Sequence, residues 1–204
     1  FSMTGLQSSL PKLVYLKKKH NATLVIDDAH CIGIKGKGGM GSASYVNRGD
    51  IDILTCSLAK AFGMQGAMIS ASESIIKSMV QKSRPYIYSS ASSSALVNAL
   101  LKVLELIQFF ESKRLKLEKN IKFFNQLKQA SLFSFTESRS AIQFLMVGYT
   151  ICCQSLVEHL KNQAVYCYPI FEPTVPANKT GIRMVLSSAH ELSHIETLFT
   201  ALGT

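Results

Sequence analysis

The sequence lacks an apolar run long enough to cross a membrane. A membrane-spanning helix needs roughly 18 or more consecutive apolar residues. The most apolar stretch here, Ala95–Phe110, is interrupted by Asn98, Lys102, Glu105 and Gln108, so an integral membrane protein is not expected. The chain has 204 residues, of which 47% are hydrophobic, and it can therefore bury a sizeable core instead of remaining disordered.

Patterns typical of metal sites and disulfide frameworks are also absent. The cysteines are odd in number, no two of them form a C-x-x-C pair, and the histidines are scattered. Neighbours such as Cys152 and Cys153 rarely bridge each other, and free cysteines are commonly buried as small apolar residues. We therefore predict no bound metal, no disulfide framework, and a reducing, cytoplasmic location.

Acidic residues are few, with 13 Asp and Glu against 22 Lys and Arg, which gives a net charge of +9. Few of the basic residues are arginines, whereas nucleic-acid readers usually use more of them, so no nucleic-acid partner is predicted. The basic residues fall mainly in Lys17–Lys19 and Lys113–Lys122, where the surroundings are helical. A solvated helix face is the simplest interpretation, and attraction of an acidic partner or substrate is the alternative.

The order of elements in the N-terminal half predicts an α/β fold. Helical patterns cover residues 10–20 and 72–82, and extended patterns cover residues 23–26, 51–55 and 67–70. Strands that alternate with helices indicate a parallel sheet, and the unbroken apolar run Thr23–Ile26 is typical of a strand covered on both faces. Ligands bind such sheets at the carboxyl ends of the strands.

The C-terminal half has a different pattern. Residues 94–130 contain neither Gly nor Pro and predict one long helix or two in line, and strands are predicted over 142–147, 165–171 and 182–186. A last helix is predicted to begin at the capping box Ser188–Glu191 and to end at Gly203. We therefore assign residues 1–106 to a large α/β domain and residues 107–204 to a small α+β domain.

Two carboxylates and an imidazole follow the first predicted strand. Asp27 ends the apolar run, Asp28 follows it, and His30 lies three residues after Asp27. A carboxylate buried at a strand end needs a cation or a hydrogen-bond donor. We therefore expect a positively charged partner for Asp27 and a capping role for Asp28. A purely structural cap is the alternative for Asp27.

A serine and a lysine follow the second predicted strand. Ser57 and Lys60 lie in a segment of small residues that ends at Gly63. A lysine in an apolar setting can act as an amine nucleophile towards a carbonyl, although an exposed loop lysine is the simpler interpretation when it is taken alone. A cationic nitrogen heterocycle held between Asp27 and Lys60 would give the carboxylate a cation partner and the amine a carbonyl to react with. The Ser57 hydroxyl could then bind a phosphate of the same molecule.

The chain resembles the α-oxoamine synthases, pyridoxal-phosphate enzymes of the aspartate-aminotransferase-like fold (fold type I). Several motifs in one order are stronger evidence than any single motif. Those that match are Phe1-Ser-Met3, Asp27-Asp-Ala-His30, Gly36–Gly41, Ser57–Gly63, Tyr86–Ala91, Pro173–Pro176 and Arg183–His190. The resemblance implies part of the large cofactor domain of that fold, followed by its small α+β domain.

The resemblance also implies pyridoxal 5′-phosphate as the cofactor. Lys60 matches the catalytic lysine that binds the cofactor covalently, and Asp27 matches the acid that keeps the pyridine nitrogen protonated. His30 matches the residue, also counted as catalytic, that donates to the phenolic oxygen of the ring, and Ser2 matches a serine near that oxygen. Ser57 stands where the family has a phosphate-binding Thr.

Further residues are implied to bind substrate or to act across a subunit interface. Ser89 and Ser90 match hydroxyls that complete the phosphate pocket of the neighbouring subunit, which implies a homodimer. Arg183 matches the arginine that grips the amino-acid carboxylate, and Thr174 matches a substrate-contacting Thr.

The implied reaction condenses an amino acid with an acyl thioester of coenzyme A or of a carrier protein, with loss of CO2. Ser140–Gln143 and Pro173–Pro176 are most similar to the branch of the family that acts in biotin synthesis, where L-alanine is condensed with a pimeloyl thioester. Other branches, of the glycine C-acetyltransferase, 5-aminolevulinate synthase or serine palmitoyltransferase type, stay open.

Two departures from the family pattern stand out. Met40 occupies a position where the family commonly has an arginine, which leaves the role of that arginine without a counterpart. The family's chains are longer, and they carry ahead of the Phe-Ser-Met motif an aromatic residue that stacks on the cofactor. Phe1–Leu6 also lacks the layout of a signal peptide. We therefore expect a chain cut at its N-terminus that is inactive, or binds cofactor weakly, by itself.

Two competing interpretations stay open at this point. Val25–His30 differs by one residue from the DEAH box of nucleic-acid helicases, but no phosphate-binding G-x-x-x-x-G-K-[ST] loop is present. A non-catalytic partner subunit is the second alternative, and the presence of both Lys60 and Arg183 argues against it.

Overall fold

The computed structural model describes residues 1–203, apart from the side chain of Arg48. The chain divides into two compact units. The first, here called the α/β unit, is Ser8–Ser112. The second, the α+β unit, combines Phe1–Gln7 with the chain from Lys113 onward. The domain boundary placed between residues 106 and 107 stays a prediction, and both of these residues lie within one helix of the α/β unit.

The α/β unit contains a mixed three-stranded sheet. Strands β1 and β2 are parallel, as predicted, but β3 pairs antiparallel to β2. The expected parallel sheet is therefore wrong at β3, because only residues 58–66 connect β2 to β3, whereas a parallel pair needs a longer crossover. The elements are α1 Leu10–His20, β1 Val25–Asp27, β2 Ile53–Ser57, β3 Ala67–Ala71, α2 Glu73–Lys82, α3 Arg84–Ile87 and α4 Ser94–Gln108.

Strand β1 lies at the edge of this sheet. The sheet order is β1-β2-β3, so β1 pairs with β2 on one side only. Val25 is 56% exposed, and the expectation that residues 23–26 form a strand covered on both faces is wrong for the described residues. An apolar run predicts which residues can be buried, but not which neighbours are there to cover them.

The core of the α/β unit forms where β2 and the turn after it meet α4. Cys56, Leu58 and Phe62 are buried together with Ile107 of α4. Val103 and Leu100, which lie about one and two helical turns before Ile107 in α4, pack against the same cluster. The three- and four-residue spacing of apolar residues in α4 therefore produces a single buried stripe that holds the turn after β2 in place.

Asp28 connects the end of β1 to the glycine-rich loop at residues 36–41. Its side chain is buried, and Oδ2 accepts a hydrogen bond of 3.0 Å from the backbone N–H of Ser42. Gly41 has φ +65°, and a Cβ atom there would stand 2.0 Å from the same Oδ2. Oδ1 has no hydrogen-bond partner among the described residues. Burial raises the pKa of Asp28, while the hydrogen bonds from Ser42 act in the opposite direction.

The α+β unit is built on an antiparallel sheet of order β4-β6-β5. The predicted long helix is two helices, α4 and α5, and a helix that the sequence analysis did not predict, α6, follows β4. The core includes Phe124, Phe135 and Phe199, whose ring centroids lie 5.0–6.0 Å apart. The elements are α5 Glu111–Ala130, β4 Ile142–Gly148, α6 Thr150–Asn162, β5 Tyr168–Ile170, β6 Thr180–Val185 and α7 Leu192–Leu202.

Helix α7 begins later than predicted. Its capping box is formed by Glu191 and His194, three residues beyond the predicted box, and Gly203 ends the helix as expected. Ser187 and His190 form a turn of their own, in which the Ser187 N–H donates to Nδ1 of His190 over 3.2 Å. The predicted box was wrong because this turn uses the residues assigned to it.

Three observations on the described residues bear on location and metal binding. None of the helices among residues 1–203 is both long and apolar enough to span a bilayer. The same residues contain no group of three or more His, Cys, Asp or Glu side chains placed to hold a metal ion. The five cysteines are free thiols.

The contact between Gly41 and Asp28 predicts a large effect of one methyl group. Gly41→Ala should lower the free energy of unfolding by more than Gly38→Ala, measured by urea denaturation. Gly38 is the matched control, because it also has a positive φ, +60°, but open space around its Cβ position. The conformational strain of about 1–2 kcal/mol is common to both variants, and only Gly41→Ala must also displace the Asp28 carboxylate. Equal losses would show that the carboxylate moves aside freely.

The raised pKa of Asp28 predicts a pH-dependent stability. A carboxyl group whose pKa is higher in the folded than in the unfolded protein contributes stability below the unfolded value of about 3.9. This contribution is lost as the pH rises through the folded pKa. Relative to Asp28→Asn, the unchanged protein should therefore lose free energy of unfolding as the pH rises above about 4. Urea titrations at several pH values measure the difference, and a constant difference would contradict the prediction.

Candidate active site

The carboxyl ends of β1 and β2 lie at the same edge of the sheet. The strands are parallel, and Asp27, the last residue of β1, is opposite Thr55 of β2. Ser57, the last residue of β2, follows two positions beyond Thr55. Strand pairing therefore brings Asp27 and Ser57, which the sequence analysis assigned to one cofactor, to one edge, where ligands of α/β sheets bind.

Asp27 presents an exposed carboxylate at this edge. Oδ1 accepts a hydrogen bond of 2.9 Å from the backbone N–H of Ala29, which closes a short turn. Within the part of the chain that the structure describes, no cation pairs with it. Asp28 is therefore the buried carboxylate and Asp27 makes a local cap, so the expected burial of Asp27 is wrong, while its predicted pairing with a cationic ligand stays a prediction.

Lys60 lies in a turn that the core holds at both ends. Leu58 and Phe62 on either side of it are 6% and 5% exposed. The N–H of Met64 donates to the carbonyl of Leu58 over 2.8 Å, and the N–H of Gly63 donates to the carbonyl of Lys60 over 3.0 Å. The Lys60 side chain is exposed, and no carboxylate of the described chain pairs with it. The amine is therefore carried by a fixed backbone and is not neutralised by the protein.

His30 and Ser57 complete the polar groups at this edge. His30 lies in the turn after β1, which the Asp28 carbonyl closes by accepting hydrogen bonds from the N–H groups of Cys31 and Ile32, at 2.9 and 3.1 Å. Ser57 Oγ accepts a hydrogen bond of 3.3 Å from the N–H of Ala59. The hydroxyl of Ser57 acts there as an acceptor only, so its own proton can be donated to an anion.

Ser89 and Ser90 lie apart from these groups. They follow α3 and are exposed, and Ser89 Oγ donates to the carbonyl of Tyr86 over 3.0 Å. In the described chain no hydrogen bond joins either serine to Asp27, Ser57 or Lys60. Their predicted role in a neighbouring subunit's pocket stays a prediction.

The remaining predicted residues belong to the α+β unit. Arg183 is in β6, and its Nε donates a hydrogen bond of 2.7 Å to the backbone carbonyl of Ser2. Thr174 lies in the exposed turn between β5 and β6. Partial burial lowers the pKa of Arg183, but an arginine stays charged at any physiological pH. The structure thus brings Ser2 and Arg183 together, through the main chain of Ser2 and not through its hydroxyl.

Asp28, Thr136 and Ser138 have roles in the structure that were not expected from the sequence. Asp28 could have been found, because the two-residue period of a strand places it on the same face as Ile26 and opposite to Asp27. Thr136 and Ser138, which bind the segment that contains Ser2, had no such signal. Hydroxyl residues are common in loops, and their partners lie more than a hundred positions away.

Known proteins resemble this chain over its whole length. The family described as "Aminotransferase class I and II" matches residues 1–202. The 8-amino-7-oxononanoate synthase of Pseudomonas fluorescens is 35% identical over 205 residues, which are 100% of this chain and 52% of that protein. The 2-amino-3-ketobutyrate coenzyme A ligase of Escherichia coli K12 is 31% identical over 208 residues, with the same coverage. The chain thus spans about half the length of the curated relatives it matches.

Solved structures share the fold. The 8-amino-7-oxononanoate synthase of Francisella tularensis has a TM-score of 0.87 and 26% identity, covering 99% of this chain and 59% of that one. A serine palmitoyltransferase from S. paucimobilis, solved with bound PLP, has a TM-score of 0.90 and 23% identity, covering 98% of this chain and 51% of that one. The predicted resemblance to the α-oxoamine synthases and the predicted fold class are confirmed. The chain belongs to the aminotransferase class I and II family.

Proposed function

We propose that the protein is a pyridoxal-phosphate-dependent C-acyltransferase of the α-oxoamine synthase type. It would condense an amino acid with an acyl thioester and release CO2. The observation that carries this proposal is the arrangement at the carboxyl end of the parallel strands. There the Asp27 carboxylate has no cation partner among the described side chains, and Ser57 and the Lys60 turn follow the neighbouring strand. Sheet edges of this kind bind ligands in α/β folds.

The residues at this edge fit pyridoxal phosphate. The exposed Asp27 carboxylate is not neutralised by any described side chain and would hold a proton on the pyridine nitrogen. Ser57 has a hydroxyl proton free for the phosphate, His30 would donate to the ring oxygen, and Lys60 supplies an amine for covalent attachment. Ser2 would lie near the same oxygen. When bound, the cofactor accepts the electron pair left at the α-carbon of the substrate.

Lys60 is the group that we expect to move the proton. An amino acid that binds in place of the lysine leaves a neutral amine on Nζ, and this amine can accept the α-proton and later return one. The buried anchors Leu58 and Phe62 fix the backbone on both sides of it. Asp27 is expected to act through its charge and not as a base, because it must stay ionised to hold the ring proton.

Arg183 and Thr174 would recognise the amino acid. The guanidinium keeps its charge at any working pH and suits two-point binding of a carboxylate. Among the branches of the family, we favour the biotin-synthesis type, which would use L-alanine and a pimeloyl thioester. The 35% identity to the Pseudomonas synthase supports this choice. The 2-amino-3-ketobutyrate ligase at 31% identity keeps the glycine-using type as the second candidate. Family membership accounts for the Asp27–His30 motif, so the helicase alternative is set aside.

Assembly and location follow from the same proposal. We propose a homodimer in which Ser89 and Ser90 complete the partner's phosphate pocket, supported by the exposed aromatic side chains Tyr86 and Tyr88 beside them. The net charge of +9 favours an anionic acyl donor, coenzyme A or an acidic carrier protein. The free cysteines support a cytoplasmic location.

Replacement of Lys60 tests the proposed reaction. In the full-length protein, Lys60→Ala should lower turnover by at least about 10^2- to 10^4-fold, the range of a lost general acid–base group. The visible absorbance of covalently held cofactor should also disappear. Because the side chain is exposed, the free energy of unfolding should change by less than about 0.5 kcal/mol. Lys82→Ala, which removes an exposed lysine at the end of α2, should leave both readouts unchanged, and normal turnover in Lys60→Ala would reject the proposal.

Replacement of Arg183 tests substrate recognition. Arg183→Lys keeps the charge but loses the planar fork, so the amino-acid KM should rise by roughly 10- to 100-fold, as expected for a lost charged hydrogen bond. The KM for the acyl thioester should stay the same. Arg84→Lys, an exposed change at the start of α3, is the control. Steady-state kinetics that show equal losses for both substrates would assign Arg183 to structure and not to recognition.

A further inference from the structure

The segment Phe1–Gln7 belongs to the α+β unit, although more than a hundred residues separate it from the rest of that unit in the sequence. Two hydroxyl groups hold it there. Thr136 Oγ1 donates to the carbonyl of Thr4 over 2.7 Å. The Ser138 hydroxyl lies 3.0 Å from the carbonyl oxygen of Gly5 and 2.6 Å from that of Ile142, and its single proton can be given to only one of them at a time.

The packing at Gly5 leaves no room for a side chain at that position. Gly5 has φ +71°, and a Cβ atom there would stand 2.0 Å from the carbonyl oxygen of Ile142 and 2.4 Å from Ser138 Oγ. Ser138 is 1% exposed, and its Oγ accepts the N–H of Ser140 over 3.1 Å, in the Ser140–Gln143 motif. The hydroxyl of Ser138 thus joins the segment to the start of β4.

The segment Phe1–Gln7 presents a carbonyl group to Arg183. The Ser2 carbonyl accepts the Nε proton of Arg183 over 2.7 Å. In β6, Arg183 is opposite Phe144 of β4 and Tyr168 of β5, so its backbone is fixed by strands on both sides. With Nε occupied, the protons of Nη1 and Nη2 remain for a ligand carboxylate, and the guanidinium plane is set by the Ser2 carbonyl.

We propose that Thr136 and Ser138 are positioning residues that act on Arg183 through the segment Phe1–Gln7. By holding the carbonyls of Thr4 and Gly5 they place the Ser2 carbonyl, which turns the arginine fork so that its two terminal nitrogens face the amino-acid carboxylate. This inference rests on the role of Arg183 in the proposed function. It assigns a task to the residues around Ser140–Gln143, a motif that the proposed reaction does not otherwise use.

The test compares Thr136→Val, which removes the hydroxyl at nearly constant shape, with Thr136→Ser, which keeps it. Both are made in the full-length protein. Thr197→Val is the matched control, because it removes a hydroxyl-to-carbonyl hydrogen bond of 2.9 Å within α7, away from the segment. Hydrogen exchange of the amides of residues 1–7 measures how firmly the segment Phe1–Gln7 is bound, and it does not require the cofactor. Steady-state kinetics gives the KM of each substrate.

Thr136→Val should speed exchange in residues 1–7 and raise the amino-acid KM by about 3- to 10-fold, the effect of one lost neutral hydrogen bond. The thioester KM should stay unchanged, and Thr136→Ser and Thr197→Val should match the parent. Unchanged exchange, or faster exchange with an unchanged amino-acid KM, would overturn the inference. Ser138→Ala gives the same test if Thr136→Val fails to fold.

Arg183→Lys, measured alongside, separates this inference from the proposed function. A raised amino-acid KM in Arg183→Lys but not in Thr136→Val overturns the positioning role alone. An unchanged amino-acid KM in Arg183→Lys overturns the assignment of Arg183 itself, and the positioning role falls with it.

Discussion

The parallel pairing of β1 with β2 is the constraint on which the geometry of the candidate site depends. In this register Asp27 lies opposite Thr55, so the residues that follow each strand leave the sheet at the same edge. A shift of one residue would exchange the faces of every side chain in β1 and would turn Asp27 instead of Asp28 towards the core. The site therefore depends on hydrogen bonds between strands as much as on its own side chains.

The two adjacent carboxylates show how one strand end serves two purposes. Asp28 is buried and holds the glycine-rich loop through the Ser42 N–H, with Gly41 close against it. Asp27 is exposed beside it, and none of the described side chains neutralises its charge. Burial of one carboxylate fixes the backbone, and this fixed backbone lets the other hold a defined position.

The α+β unit uses long-range contacts in a similar way. Its sheet fixes the backbone of Arg183, but the direction of the guanidinium depends on a carbonyl from Phe1–Gln7. That segment is held by hydroxyls that precede β4. A charged side chain with several rotatable bonds loses less entropy on binding a ligand when the protein has already ordered it. Residues that touch no substrate can in this way contribute to recognition.

The sequence by itself determined the fold class, the family and the place of most elements. Periodicity and turn residues are local properties, so α1 and the strand that bears Asp27 were found within two residues, and ordered motifs identified Lys60 and Arg183 as candidates. Only the tertiary structure decided that β3 is antiparallel, that α7 is capped by Glu191, and that Ser2 meets Arg183 through its carbonyl. Each of these depends on which distant groups become neighbours when the core packs, and a local pattern does not contain that information.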